Sequence, residues 1–299
     1  MTTFPTELET IRDWLRYAVS SFQAAGLNYG HGTDNAYDEA VFLLLATLHL
    51  PLDQLDPFLD AKLTGTERAA LHQAIERRAV DHVPVPYLTH QAWLGNFKFY
   101  VDERVVIPRS FIAELLQERL SPWVADPDRI STVLDLCTGS GCLAILAADA
   151  FLNADLDAVD ISADALAVAQ RNVAEYGLQD RINLVRSDLF RNVHSEDKTY
   201  DLIISNPPYV THAAMAALPT EYRHEPEIAL AAGEDGLEAI RQIISGSRAY
   251  LNVGGILIVE AGHNRELVEA VFPDLPFTWL VTPSSEGKVF LLRREDLPV

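Results

Sequence analysis

Along the first 85 residues, apolar positions recur at helical spacing. In residues 7–26, ELETIRDWLRYAVSSFQAAG, Leu8, Ile11, Leu15, Ala18, Val19 and Phe22 share one face, and Gly26 supplies a stop. Residues 34–50 predict a second helix that starts near Asp34 and is ended by Pro51. Residues 65–80 predict a third, with Thr66 as N-cap and Glu67 in its first turn. The texture then changes. Residues 83–110, VPVPYLTHQAWLGNFKFYVDERVVIPRS, are punctuated by proline and then alternate, which predicts a linker and a β-hairpin turning at Gly95 and Asn96.

From about Ile130 the period switches between two and 3.6. TVLDL (132–136), DLDAVD (155–160), RINLVRSD (181–188), YDLIIS (200–205) and GGILIVE (254–260) read as strands. Helical stretches lie at 141–151, 162–176 and 236–251, and residues 277–294 read as two β-runs joined by a turn. Alternation of this kind predicts an α/β fold: an open doubly wound sheet with helices on both faces, here closed by a C-terminal antiparallel hairpin. The expected organisation is a small all-helical domain over 1–84, a linker and hairpin over 85–109, and the α/β domain over 110–299.

Composition narrows the function. The chain has 299 residues, 48% of them hydrophobic, enough for a real core. No apolar run reaches the ~20 residues of a membrane span, the first residues lack a signal-peptide pattern, and Cys137 and Cys142 are too few for a disulfide framework and wrongly spaced for zinc. These features predict a cytoplasmic, reduced, soluble protein with no metal. The 43 acids against 23 Lys and Arg give a formal charge of −20, which disfavours nucleic acid as a direct substrate and favours a basic protein partner.

The chemistry-bearing residues lie at predicted strand ends. In VLDLCTGSGCLA (133–144), Gly139, Gly141 and Ala144 fit the G-x-G-x-x-G/A pattern, with Asp160 nineteen residues after Gly141. Small residues let the backbone approach a ligand at a helix N-terminus, and the acid can accept ribose hydroxyls. This motif alone leaves a nicotinamide enzyme open. Asp135 beside the turn would repel a diphosphate and suits a cationic group such as a methionine amino group, while Asp188 can meet an adenine amino group. Three acids on successive strand ends favour S-adenosylmethionine.

The fourth strand ends in Asn206, Pro207, Pro208 and Tyr209. The two prolines fix the backbone and forbid a helix, which suits either a plain strand terminator or a polar amide held in a fixed orientation for something planar. Here the sequence resembles the class I S-adenosylmethionine-dependent methyltransferases acting on planar nitrogens, and more closely the HemK-type protein-glutamine N5-methyltransferases. The resemblance spans VIPRS (106–110), DLCTGSG (135–141), AVDIS (158–162), SDLF (187–190), NPPY (206–209) and EYRHEPEIALAAGEDGL (221–237). NPPY also occurs in nucleic-acid methyltransferases; the 221–237 block is more specific to the glutamine enzymes.

The resemblance implies a catalytic set of Asn206, Pro207 and Tyr209, with substrate contacts from these, Pro208, Arg109 and Glu225. It implies cofactor contacts from Asp135, Cys137, Thr138, Gly139, Ser140, Gly141, Asp160, Ile161, Asp188, Leu189 and Asn206. Glu114 stands one residue beyond the family's usual glutamate after the PR step and is expected to serve the same place. YGHGTDNAYDEA (29–40) is similar to the subgroup that methylates the large-subunit ribosomal protein numbered three, which implies that protein as partner, before assembly. His31 there reads as a packing residue, and His224 as a candidate for positioning substrate. Alternatives at this point are a release-factor glutamine methylase, an amino-methyltransferase of RNA or DNA, and a non-catalytic cofactor-binding ribosome-assembly factor.

Overall fold

The computed structural model describes residues 4–193 and 198–298. The chain divides into two compact units, Met1–Ala92 with Pro219–His224, and Trp93–Leu218 with Glu225–Val299. The helical unit therefore takes six residues that the sequence pattern assigns to the α/β domain.

In the helical unit, α1 (Ile11–Ala25), α2 (Ala36–Thr47) and α3 (Gly65–Ala79) surround a core that includes Ile11, Trp14, Phe22, Leu43, Leu44 and Leu71. Trp14, absent from the predicted face, is fully buried, whereas Val19 is only partly so; Leu8 packs from outside the helix. Thr10 caps α1 in a reciprocal box with Asp13, and Gly26 ends the helix at φ 63°. The cap of α3 is Thr64 and not Thr66: Glu67 stands three residues after Thr64 and bonds back to its N–H. The predicted linker begins with a further short helix, α4 (Val85–Thr89), because Pro84 and Pro86 fall at its first turn and Val85 joins the core.

Strands β1 (Ala92–Leu94) and β2 (Phe97–Phe99) form the predicted hairpin about Gly95. In chain order there follow α5 (Ile112–Gln117), β3 (Thr132–Leu136), α6 (Cys142–Ala150), β4 (Asp155–Asp160), α7 (Ala163–Glu175), β5 (Ile182–Arg186) and β6 (Tyr200–Ser205). The unit ends with α8 (His212–Ala217), α9 (Glu238–Tyr250), β7 (Leu251–Glu260), α10 (Arg265–Val271), β8 (Thr278–Thr282) and β9 (Ser285–Arg293). Short helices α5, α8 and α10 were not legible in the pattern.

The strands form one seven-stranded sheet in the order β5-β4-β3-β6-β7-β9-β8. Strands β3 to β7 run parallel, and β9 is antiparallel to both β7 and β8. Leu134, Leu136, Ile203 and Leu257 are fully buried, as expected of strands covered on both faces. The chain steps outward from β3 to β5 and then returns to place β6 on the other side of β3. That reversal makes a crevice at the carboxyl ends of β3 and β6, where open α/β sheets take ligands. Leu136 stands opposite Ser205 across this pair, so residues 137–141 and 206–209 leave the sheet side by side.

Candidate active site

The turn after β3 is built around Asp135, which is fully buried. Its Oδ2 accepts the Thr138 hydroxyl at 2.5 Å and the Ala144 N–H at 3.1 Å, while Oδ1 has no partner among the described residues. Burial pushes its pKa up to about 7, and two neutral donors do not reverse that. Cys137 adopts φ 59°, a left-handed conformation that costs a residue with a Cβ about 1–3 kcal/mol and recurs at functional turns. Burial raises the pKa of both cysteine thiols, so neither is a nucleophile at neutral pH. Gly141 caps α6 at φ 80°, and a Cβ there would stand 3.2 Å from the Ala169 Cβ, so the glycine is what lets α6 and α7 close up.

Asp160, at the end of β4, accepts the Gly139 N–H at 2.9 Å on one oxygen and the Ser162 N–H at 2.9 Å on the other. The acid is thus held against the glycine turn, and each oxygen keeps lone-pair capacity for a hydroxyl. Beside it, Ile161 is exposed. After β5, Asp188 pairs loosely with Arg191 at 3.5 Å, and Leu189 is again at positive φ, 47°. The structure brings 135–141, 160–161 and 188–189 to successive strand ends on one edge of the sheet. A buried carboxylate oxygen without a donor, next to a glycine turn and a ribose-type acid, fits the amino and sugar groups of S-adenosylmethionine.

Asn206 donates its Nδ2 to the Arg109 carbonyl at 3.1 Å, which leaves its Oδ1 as an acceptor. Arg109 forms a two-pronged pair with Glu225, at 2.5 and 2.6 Å, and Glu225 also accepts the Ile107 N–H at 3.1 Å. Glu225 is buried, and its carboxylate is taken up by Arg109 and the Ile107 N–H. Glu114 is also placed elsewhere: it accepts the Ser284 N–H at 3.2 Å and the Ser284 hydroxyl on an exposed turn. His224 contacts the Asp81 carbonyl through Nε2 at 2.9 Å, and the buried His31 ring packs 4.5 Å from the Tyr222 ring.

Tyr209 is fixed on several sides. Asn264 donates to its carbonyl at 2.9 Å, and Gly262 lies so close that a Cβ would come within 2.7 Å of the ring. Its hydroxyl donates to Glu260 at 3.3 Å. Glu260 was missed in the sequence; the available signal was an acid closing the apolar run of β7. Among the described residues no group of three or more His, Cys, Asp or Glu could hold a metal, and no helix is long and apolar enough to cross a membrane.

Residues 113–221 match the family model of the methyltransferase small domain. Over 291 residues the chain is 58% identical to the ribosomal protein uL3 glutamine methyltransferase of Neisseria gonorrhoeae, covering 97% of this chain and 96% of that one. It is 55% identical over 303 residues to the protein of the same name from Burkholderia pseudomallei, covering 100% and 99%. The chain belongs to this family. The subgroup indicated by residues 29–40 is therefore the right one, and the chain is a methyltransferase by family. The solved hMettl16 catalytic domain in complex with MAT2A 3′UTR hairpin 6 matches with a TM-score of 0.51 over 79% of this chain and 84% of that one. At 15% identity that likeness shows the fold alone.

Proposed function

We propose that this chain methylates the side-chain amide nitrogen (N5) of a glutamine in ribosomal protein uL3. The methyl group comes from S-adenosylmethionine, whose sulfonium makes it transferable. The observation that carries the reading is Asn206, which spends its amide NH₂ on the Arg109 carbonyl and keeps its oxygen for a substrate.

Ionised Asp135 holds the ammonium end of the donor through the oxygen that has no partner within the protein. Asp160 takes the ribose hydroxyls, and Asp188 faces the adenine edge. Asn206 Oδ1 and the Pro207 carbonyl accept the two N–H bonds of the substrate amide. A carboxamide nitrogen is a poor nucleophile because its lone pair is delocalised into the carbonyl. Two fixed acceptors orient it in line with the methyl and stabilise positive charge as that charge develops on nitrogen. Pro207 and Pro208 keep the acceptors from relaxing, and Tyr209 packs on the amide plane. The methylated nitrogen is strongly acidic and releases its proton without a dedicated base. Residues 1–84 read the substrate, and Arg109, fixed by Glu225, meets it at the site.

The acidic balance supports a basic partner, and a ribosomal protein is most accessible to an acidic enzyme before rRNA surrounds it. Action on unassembled uL3 in the cytoplasm follows. Transfer of labelled methyl should be measured on free uL3, mature large subunits, a release factor, rRNA and DNA, with Asn206→Ala as control. Label on a glutamine of free uL3, lost in the variant, is expected. Label on the release factor, RNA or DNA would reassign the substrate, and cofactor binding with no label anywhere would leave a non-catalytic assembly factor.

A further inference from the structure

Glu260 ends β7 one residue beyond Val259, which stands opposite Ser205, so Glu260 stands at the sheet's carboxyl edge on the strand next to the one that leads into Asn206. It is 2% exposed. Its Oε2 accepts the Ser110 hydroxyl at 2.6 Å and the Phe111 N–H at 3.0 Å, and its Oε1 accepts the Tyr209 hydroxyl at 3.3 Å. All three hydrogen-bond donors are neutral. Burying a carboxylate among neutral donors is an expensive way to make a structural staple, since an amide of the same size would bury no charge. What an ionised carboxylate adds is that it only accepts: each neighbour must point its hydrogen inward.

The geometry points to Glu260 as a positioning residue for methyl transfer, acting through Tyr209 and resting on the reaction proposed above. One oxygen fixes the rotation and depth of the Tyr209 ring. The other fixes residues 110 and 111, next to the Arg109 carbonyl that orients the Asn206 amide. A single side chain thus sets both the plane on which the substrate amide packs and the acceptor that receives its N–H. Glutamine at this position must turn an NH₂ toward one of these partners, so that the Tyr209 hydroxyl has to rotate to accept it or the Phe111 N–H loses its acceptor.

The test compares kcat and KM for free uL3 in the intact chain and in Glu260→Gln, Tyr209→Phe and the double variant. Expected is a kcat loss of about ten- to a hundredfold in each single variant, the range a small misplacement of reacting groups produces. KM values for the cofactor and uL3 should stay within a few-fold, and the double variant should be no worse than the poorer single one. A purely structural role would instead lower the melting temperature and the active fraction, with losses that multiply in the double variant; that result overturns the assignment. Should Glu260→Gln fail to fold, Tyr209→Phe, which removes only the hydroxyl, carries the decision, and full kcat there overturns it. If the intact chain transfers no methyl, the proposed reaction fails and not this inference; if it transfers methyl and Glu260→Gln matches it, only this inference fails.

Discussion

Glu221 of the helical unit and Asp135 at the end of β3 are both fully buried carboxylates, and each has one oxygen that no donor reaches. Their surroundings differ in one respect that decides their roles. Burial alone would push Glu221 up, but the Asn28 N–H, its own N–H, His82 and Arg78 hold it down at about 2. Arg78 is itself 1% exposed and bonds Glu39 at 2.6 Å and Glu221 at 3.2 Å. Asp135 has only a hydroxyl and an N–H, and rises to about 7. The first carboxylate has its cation inside the protein. The second has no cation among its partners, in keeping with the ammonium group proposed to meet it. A buried acid is thus informative mainly through what it lacks, and the missing partner names the ligand's charge.

Removing the internal cation should have the largest effect. Arg78→Met leaves Glu39 and Glu221 buried without their shared arginine, and should cost about 3–5 kcal/mol of stability in chemical denaturation. Cofactor affinity measured on the remaining folded protein should be unchanged. Asp135→Asn should do the reverse. Calorimetry should show cofactor affinity down on the order of a hundredfold, the scale of a lost charge-assisted bond. The melting temperature of the cofactor-free protein should not fall.

Acidity sharpens the contrast further. Because the folded-state pKa of Asp135 is raised from 3.8 to about 7, its contribution to cofactor-free stability is complete below 3.8 and lost as pH rises through 7. Its cofactor affinity should run the other way, falling about tenfold per unit as pH drops below 7. Glu221, lowered from 4.5 to about 2, contributes stability above 4.5 that is lost as pH falls through 2. Melting curves from about pH 2 to 8 and cofactor titrations over the upper part of that range, with Asp135→Asn and Glu221→Gln, separate the two; parallel profiles would break the comparison. The smallest effect belongs to Arg109→Lys, which keeps the charge and loses the two-pronged grip of Glu225. The KM for uL3 should rise about tenfold or less, with little change in cofactor affinity.

Much of the α/β sheet was legible because each of β3 to β7 is an apolar run bounded by its own polar terminator. Asp135, Asp160 and Asn206 could be read as site residues because strand ends are where such sheets bind ligands, a rule that needs only local sequence. The failures are non-local. Nothing near Arg78 announces Glu221, and nothing near Ser110 announces Glu260, because these pairs exist only once distant segments meet. The pairing of Glu225 with Arg109 was likewise not legible, since sequence shows a charge and not the arginine that occupies it. Thr66 lost its capping role to Thr64 because Glu67 stands at the third helical position only when Thr64 precedes the helix.

The loan of Pro219–His224 to the helical unit bears on the order in which the protein is made. Arg78 and Glu221 are 143 residues apart in the chain. At synthesis rates of roughly 5–20 residues per second, the arginine waits on the order of 10 s for its second carboxylate. During that interval Asn28 and His82 also lack the group they finally contact. The N-terminal helices therefore emerge first and yet finish late, and a ribosome stalled before residue 221 would display them with Arg78 holding only one of its two carboxylates.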